Sequence, residues 1–269
     1  MEALRQIDDW PVENAAVAVV GATAASRGDA DRVFAWASVT KLLTTLAALV
    51  AVEEGVVDLE AAAGQPGSTV RHLLAHASGL APDAAMPIAK PGQRRIYSNA
   101  GFEVLADEVA AGAEMPFADY LRQAVFQPLE LEATLEGSPA SGAIGTLADL
   151  VALGRELLEP TLVAAETLTE ATTVVFPGLV GVLPGFGRMD PNDWGLGFEL
   201  RDEKHPHWTG ARNSARTFGH FGQSGGFLWV DPVAGIACAC LTDADFGNWA
   251  KEAWPPLSDA VLAATGATG

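Results

Sequence analysis

Ser38 and Lys41 stand three residues apart at the head of the apolar run 42–52, a helix pattern closed by Gly55. Side chains at i and i+3 of a helix share a face, so the hydroxyl and the amine can touch. Burial and the positive end of the helix dipole both disfavour an ammonium there, which lowers the lysine pKa and makes it a proton acceptor. The pair has the parts of an activated nucleophile, Ser38, and its base, Lys41. The plainer alternative is that Ser38 is an N-cap, and Ser-x-x-Lys alone is a weak motif. Of the four lysines, only Lys41 follows a serine by three residues.

Two further groups carry chemistry. Tyr97 and Asn99 come after the Pro91-Gly92 turn and open a helix pattern. A phenol can act as acid or base where a cation lowers its pKa, and Asn99 can orient Lys41 or a substrate carbonyl. Alternatively, Tyr97 is core and Asn99 an N-cap. The segment 220–226 reads His-Phe-Gly-Gln-Ser-Gly-Gly, and its glycines let a ligand come close to the backbone. It contains a G-x-S-x-G match at Ser224, a pattern that requires a helix after the serine and a histidine later in the chain. Here a strand-like Phe-Leu-Trp-Val follows and all five histidines come earlier, which argues against Ser224 as the nucleophile. His72 and His76 have the i, i+4 spacing of a metal pair, but no Glu lies between them and Ser78-Gly79 follows, so they read as helix-end packing. His205 and His207 carry no signal.

These groups need elements to hold them. The chain opens with a short helix over 2–9 and a continuous apolar strand over 15–21; a polar hairpin over 25–31 leads to a second strand over 32–36 and the Ser38 helix. From 58 to about 187 the pattern turns to helices and long loops: 70–80 ended by Gly79, 99–111 with Phe102, Leu105 and Val109 on one side, 116–126, and 146–158 opened by Thr146 with Asp149 three on. A period of two returns over 195–200, 217–220, 226–230 and 235–241, with a turn at 231–235, and residues 246–264 form a closing helix interrupted by Pro255-Pro256. Strands at both ends with helices between predict an α+β fold, one antiparallel sheet built from both termini and flanked by helices, with a mostly helical lobe inserted. The expected division is a single catalytic domain with a sheet part over about 1–57 and 190–269 and a helical part over about 58–189.

Composition narrows the partners. A chain of 269 residues with 49% hydrophobic and 19% charged residues is globular. Its net charge of -18 argues against nucleic acid and anionic membranes, which reward basic patches. The two cysteines, Cys238 and Cys240, sit two apart on a strand pattern, a poor disulfide geometry, and a reducing compartment fits. The first ten residues show no signal-peptide pattern and no apolar run reaches the roughly 20 residues of a membrane span, so a cytoplasmic location is expected.

Taken in order, Ser38-x-x-Lys41, Tyr97-x-Asn99 and His220-Phe-Gly222 resemble the penicillin-recognising serine hydrolases: class C type β-lactamases, D-alanyl-D-alanine carboxypeptidases and related serine esterases. Residues 73–80, 91–101, 142–149, 194–198 and 219–232 also look like family landmarks in the family's order. The resemblance implies a β-lactamase/transpeptidase-like fold with the site between sheet and helical lobe. It implies Ser38 as a nucleophile forming an acyl-enzyme, with Lys41 and Tyr97 sharing base and acid work and Asn99 holding Lys41 or substrate. His220 would line the pocket opposite Tyr97, the N–H groups of Ser38 and Gln223 would form an oxyanion hole, and Phe221 and Gly222 would border the substrate. No cofactor or metal is implied, and the partner is a small ester, amide or lactam. The family's third motif usually carries a central hydroxyl that helps bind a substrate carboxylate, where this chain has Phe221. Loss of such a bond to a charged group costs about 1.5–3 kcal/mol, or roughly tenfold to a hundredfold in rate. An esterase is therefore expected first and a β-lactamase or D-alanyl-D-alanine carboxypeptidase second. A catalytically silent binding protein of the same fold is the alternative from another class.

Overall fold

The apolar run near the N-terminus is buried on both sides because it lies inside the sheet. In the computed structural model, which describes residues 1–21 and 23–266, β1 (Ala15–Gly21) pairs antiparallel with a strand from the far end of the chain. Alternate residues feed two cores: Ala16, Ala18 and Val20 face one, Val17 and Val19 the other. This is why the strand lacks the apolar–polar alternation of a sheet with one wet face.

The remaining elements, in order, are β2 (Ala25–Arg27), β3 (Phe34–Ala35), α1 (Thr40–Glu53), α2 (Val70–Leu74), α3 (Asn99–Ala113), α4 (Phe117–Leu121), β4 (Thr134–Leu135), β5 (Ala143–Gly145), α5 (Leu147–Leu158), α6 (Ala165–Ala171), β6 (Gly181–Leu183), β7 (Gly187–Met189), β8 (Glu199–Leu200), β9 (Phe218–Phe221), β10 (Phe227–Asp231), β11 (Ile236–Thr242) and α7 (Asn248–Ala264). The principal sheet has the order β2-β1-β11-β10-β9-β8, antiparallel throughout. One core lies between this sheet and α1, α3 and α5; the second lies under α7 and the 3₁₀ helix Glu2–Asp9. The mixed α/β architecture with an antiparallel sheet is the one expected.

Several boundaries differ from expectation, each for a physical reason. Part of the 25–31 hairpin is itself a strand, β2, paired on the edge of β1. The strand expected over 32–36 shrinks to β3 and joins a separate small sheet, β3-β5-β4, because Phe34 pairs with Gly145 and Ala35 with Ile144. The helix expected over 70–80 stops at Leu74, where His76 takes a left-handed φ of 52° and Ala77 N–H bonds back to His72 O at 2.8 Å. The strand expected over 195–200 is only Glu199–Leu200, since Gly197 turns with φ of 75° against Thr45. Pro255 and Pro256 do not interrupt α7. Trp254, Leu257, Val261 and Leu262 anchor it in the second core on both sides of the prolines, and that packing outweighs a proline cost of about 3 kcal/mol. α5 lies in the stretch read as the helical lobe, yet it covers the sheet: Gly154 sits against Leu228, Ala237 and Val20. Its capping box is formed as expected, Thr146 accepting from Asp149 N–H and Asp149 from Thr146 N–H. Cys238 and Cys240 are free and buried on β11.

Candidate active site

Ser38 sits in a 3₁₀ turn, Ala37–Val39, that leads into α1. The N-cap of α1 is Val39 and no side chain caps it, so the Ser38 hydroxyl is free for other work. Two packed backbones hold the turn. Trp36 N–H bonds to Ala143 O at 2.9 Å beside β5, and Gly222 after β9 presses so close that a Cβ there would lie 2.4 Å from Trp36 O. Ala37, squeezed between, takes a left-handed φ of 44°, a conformation that costs a non-glycine residue about 1 kcal/mol or more.

Lys41, on the first turn of α1, is fully buried. Its Nζ lies 2.7 Å from Asn99 Oδ1, 2.9 Å from Ala140 O and 3.3 Å from Ser38 Oγ. All three partners are neutral. Burial pushes the lysine pKa down to about 7, with Glu103 and Asp83 at longer range opposing the shift. A neutral amine has two hydrogens and one lone pair. If the hydrogens serve Asn99 and Ala140, the two shorter contacts, the lone pair is left facing the Ser38 hydroxyl.

Tyr97 donates its O–H to Ser38 Oγ at 2.7 Å. Burial raises the phenol pKa well above its ordinary value. The expected lowering by a neighbouring cation is therefore reversed, although Lys41 Nζ stands 4.6 Å from the ring centre, and Tyr97 is a neutral donor at ordinary pH. Asn99 is not an N-cap either. Ser98 caps α3 by accepting from Gly101 N–H at 2.9 Å, which leaves Asn99 to bridge Lys41 and Asp83, the latter at 2.8 Å.

His220 is buried on β9, its ring 5.8 Å from that of Tyr97 and 5.7 Å from that of Trp194. Its Nδ1 meets Phe221 O at 2.7 Å, so that nitrogen carries the hydrogen, and Nε2 has no partner among the described residues. Burial, reinforced by Lys41, lowers its pKa to about 3. It is thus a neutral lining group without a charge to offer an anion. Phe221, expected to border the substrate, points to the opposite face of β9, where it packs 4.9 Å from Phe246 and 5.6 Å from Trp208. Gln223 is exposed, and among the described residues nothing accepts from its backbone N–H. Ser224 lies in the Gly222–Gly225 turn, and the strand β10 follows it, which rules out the strand-turn-helix geometry of a nucleophile elbow.

The structure therefore brings Ser38, Lys41, Tyr97, Asn99 and His220 together, with Gly222 behind the serine. Sequence reasoning missed four supports. The Ala140 carbonyl comes from a loop pinned by Thr44 Oγ1 on Pro139 O at 2.6 Å and by Ser138 on Glu103. Asp83 orients Asn99. Trp194 and His76 wall the site, the His76 ring 4.7 Å from both Tyr97 and Trp194, with Nδ1 accepting from Ser98 N–H at 3.1 Å. A backbone carbonyl leaves no mark in sequence, but the acidic Asp83 and Glu103 near the Tyr-x-Asn segment are a usable signal for the partners of a buried lysine. His72 and His76 do not converge: His72 meets Thr69 Oγ1 at 2.9 Å and stacks on Phe176.

The family model described as Beta-lactamase matches residues 8–263. A crystal structure of a beta-lactamase from Mycobacterium bovis superimposes with a TM-score of 0.96 at 56% identity, covering 98% of this chain and 99% of that one. A mutant simvastatin synthase from Aspergillus terreus gives a TM-score of 0.79 at 16% identity, covering 98% and 94%. EstCE1, described as a hydrolase with promiscuous acyltransferase activity, gives 0.75 at 17% identity, covering 97% and 96%. The last two share the fold alone. No curated protein matches the chain. No helix among the described residues is long and apolar enough to cross a membrane.

Proposed function

The chain belongs to the beta-lactamase family, whose members are serine hydrolases, and from that premise we propose that it cleaves a small ester or amide through an acyl-enzyme on Ser38. One observation carries the reading: Ser38 Oγ stands between the Tyr97 hydroxyl at 2.7 Å and the Lys41 amine at 3.3 Å, the amine having a pKa of about 7. Neutral Lys41 takes the Ser38 proton as Oγ bonds to the substrate carbonyl carbon. The carbonyl oxygen gains negative charge and is held by the N–H groups of Ser38 and Gln223. The bond to the leaving group breaks and the leaving atom takes the Tyr97 proton. An alkoxide is a stronger base than even a raised phenolate, so that transfer runs downhill. Water then gives a proton to the Tyr97 phenolate and its oxygen to the acyl carbon, and Ser38 departs with the proton stored on Lys41.

An ester is favoured over a β-lactam because the two groups of the third motif offer nothing to a substrate carboxylate. His220 is uncharged and the Phe221 side chain faces the other core. The second reading, a β-lactamase, rests on the name of the 56% identical Mycobacterium bovis structure. A fluorophosphonate probe and p-nitrophenyl butyrate test the first. The wild type is expected to be labelled and to turn over, and Ser38→Ala to lose about a thousandfold or more in turnover. Absence of both activities in the wild type would overturn the hydrolase reading, and nitrocefin cleavage matching ester cleavage would promote the lactamase. A cytoplasmic setting suits an ester from metabolism; fractionation of expressing cells checks it.

A further inference from the structure

Beside Tyr97 lies a cleft of about 710 Å³ between the loop before α3 and the β6-β7 hairpin. That volume falls within the roughly 300–1,000 Å³ of small-molecule sites. The hairpin is fixed there by its backbone: Arg95 N–H bonds to Val180 O at 2.9 Å, and a Cβ on Gly181 would lie 2.5 Å from Arg95 O. The walls are apolar, with Ile88, Ile96, Val182 and Pro184 among them, and Ile88 and Val182 are large apolar side chains left exposed. Three arginines, Arg94, Arg95 and Arg188, also line it.

Those charges are unexpected. The chain holds 16 Lys and Arg against 34 Asp and Glu, so cations are scarce and most have acidic neighbours to choose from. Among the described residues Arg94 makes no ion pair, and Arg188 has only Asp190 at 3.0 Å in a bridge exposed on both sides, which contributes little and is readily exchanged. Arg95, the adjacent residue, is of a different kind: it is buried and spent on the carbonyls of Asn192, Val175 and Phe176.

We propose that this cleft selects the substrate: an ester or amide with an apolar segment of several carbons that ends in a carboxylate or similar anion, the segment lying on the Ile88, Ile96 and Val182 walls and the anion meeting Arg94 and Arg188. The inference rests on the Ser38 hydrolase reading. It moves anion recognition from the third motif, where His220 and Phe221 provide none, to the far end of the substrate. The anion can belong to the acyl part or to the leaving group, and both present the same chemistry to the cleft.

Two matched ester pairs test it. p-Nitrophenyl hydrogen adipate against p-nitrophenyl hexanoate places the anion on the acyl side; 3-carboxyphenyl butyrate against 3-acetylphenyl butyrate places it on the leaving side. In one pair the anionic member should have a kcat/KM about tenfold above its neutral match at low salt, mostly through KM, as expected for a hydrogen bond to a charged group. In Arg94→Gln/Arg188→Gln that ratio should fall to near one, and 0.5 M NaCl should lower it in the wild type. The ratio within a pair cancels any general effect of the substitutions on folding. Neutral members preferred in both pairs, or a ratio unchanged in the double variant, would overturn the cleft proposal while Ser38-dependent turnover of the neutral esters upheld the hydrolase. No turnover of any of the four would overturn both.

Discussion

Two of the four lysines are buried, and they have opposite surroundings. Lys41 is 0% exposed and touches only neutral acceptors, Ser38, Asn99 and Ala140. Lys204 is 5% exposed and pairs with the buried carboxylate of Glu199, while the carbonyls of Asp193 and Leu200 take its other hydrogens. Glu199 also meets His207 Nε2 and Trp208 Nε1, each at 2.9 Å. Burial alone would raise the Glu199 pKa, but Lys204 and His207 more than offset it and hold the value at about 2. With comparable burial, the partner decides the role. Burial lowers the pKa of both lysines, but at Lys204 the Glu199 carboxylate opposes the shift at close range, whereas Lys41 faces only dipoles and gives up its proton near neutrality. Trp194 neighbours both groups, with Lys204 Nζ 5.7 Å from its ring centre and the Tyr97 and His220 rings 5.9 Å and 5.7 Å away.

The contrast can be broken at either end. Removing the base has the largest expected effect: Lys41→Met should lower ester kcat/KM by about 10²–10⁴-fold, with far-ultraviolet circular dichroism unchanged. Breaking the other lysine's pair should damage stability instead. Glu199→Gln leaves Lys204 buried without its counter-charge, which costs about 3–5 kcal/mol and on the order of 10 °C in Tm by calorimetry. The sign of its pH dependence is set by the depressed carboxyl. The Glu199 contribution is present above the ordinary value of 4.5 and is lost as pH falls towards about 2, so wild type and variant should converge in acid.

Two smaller effects sharpen the difference. Because the active amine is neutral and its pKa is lowered to about 7, kcat/KM should rise about tenfold per pH unit below that value and level off above it. A plateau reached only above pH 9 would show that Lys41 is charged in the resting site. Asp83→Asn removes a charge that holds the Lys41 pKa up, so the acid limb should move to lower pH. The plateau rate should drop by less than about tenfold as Asn99 loses one orienting bond.

How far the sequence revealed this follows the same division. Ser38, Lys41, Tyr97 and Asn99 could be read because their chemistry resides in side-chain types at short, fixed spacings. The order of strands and helices could be read from periodicity, down to the Thr146-Asp149 capping box. The neutral character of the Lys41 pocket could not, because it depends on Ala140 O, 99 residues away and without a side-chain signature. Nor could the direction of the Tyr97 shift, which burial decides. His207 carried no signal, and its link with Lys204 could not be read, because their shared partner Glu199 opens a strand only two residues long. The short β3-β5 pairing and the turn at His76 escaped for the same reason: tertiary contacts, not local preference, set them.

The pairing of β1 with β11 has a consequence for how the molecule is made. Ala15 bonds beside Thr242 and Gly21 beside Ile236, so on the ribosome the first strand waits for more than two hundred residues before its central neighbour emerges. Gly222, which presses on the serine turn, arrives almost as late. A nascent chain released early would carry Ser38 and Lys41 at the head of the α1 segment, yet have neither the backbone brace behind the serine nor Gln223. The catalytic site is thus among the last parts of the protein to come into existence, and until then an apolar strand has only the short β2 on one edge and lacks its central partner, which makes synthesis a stage at which aggregation threatens it.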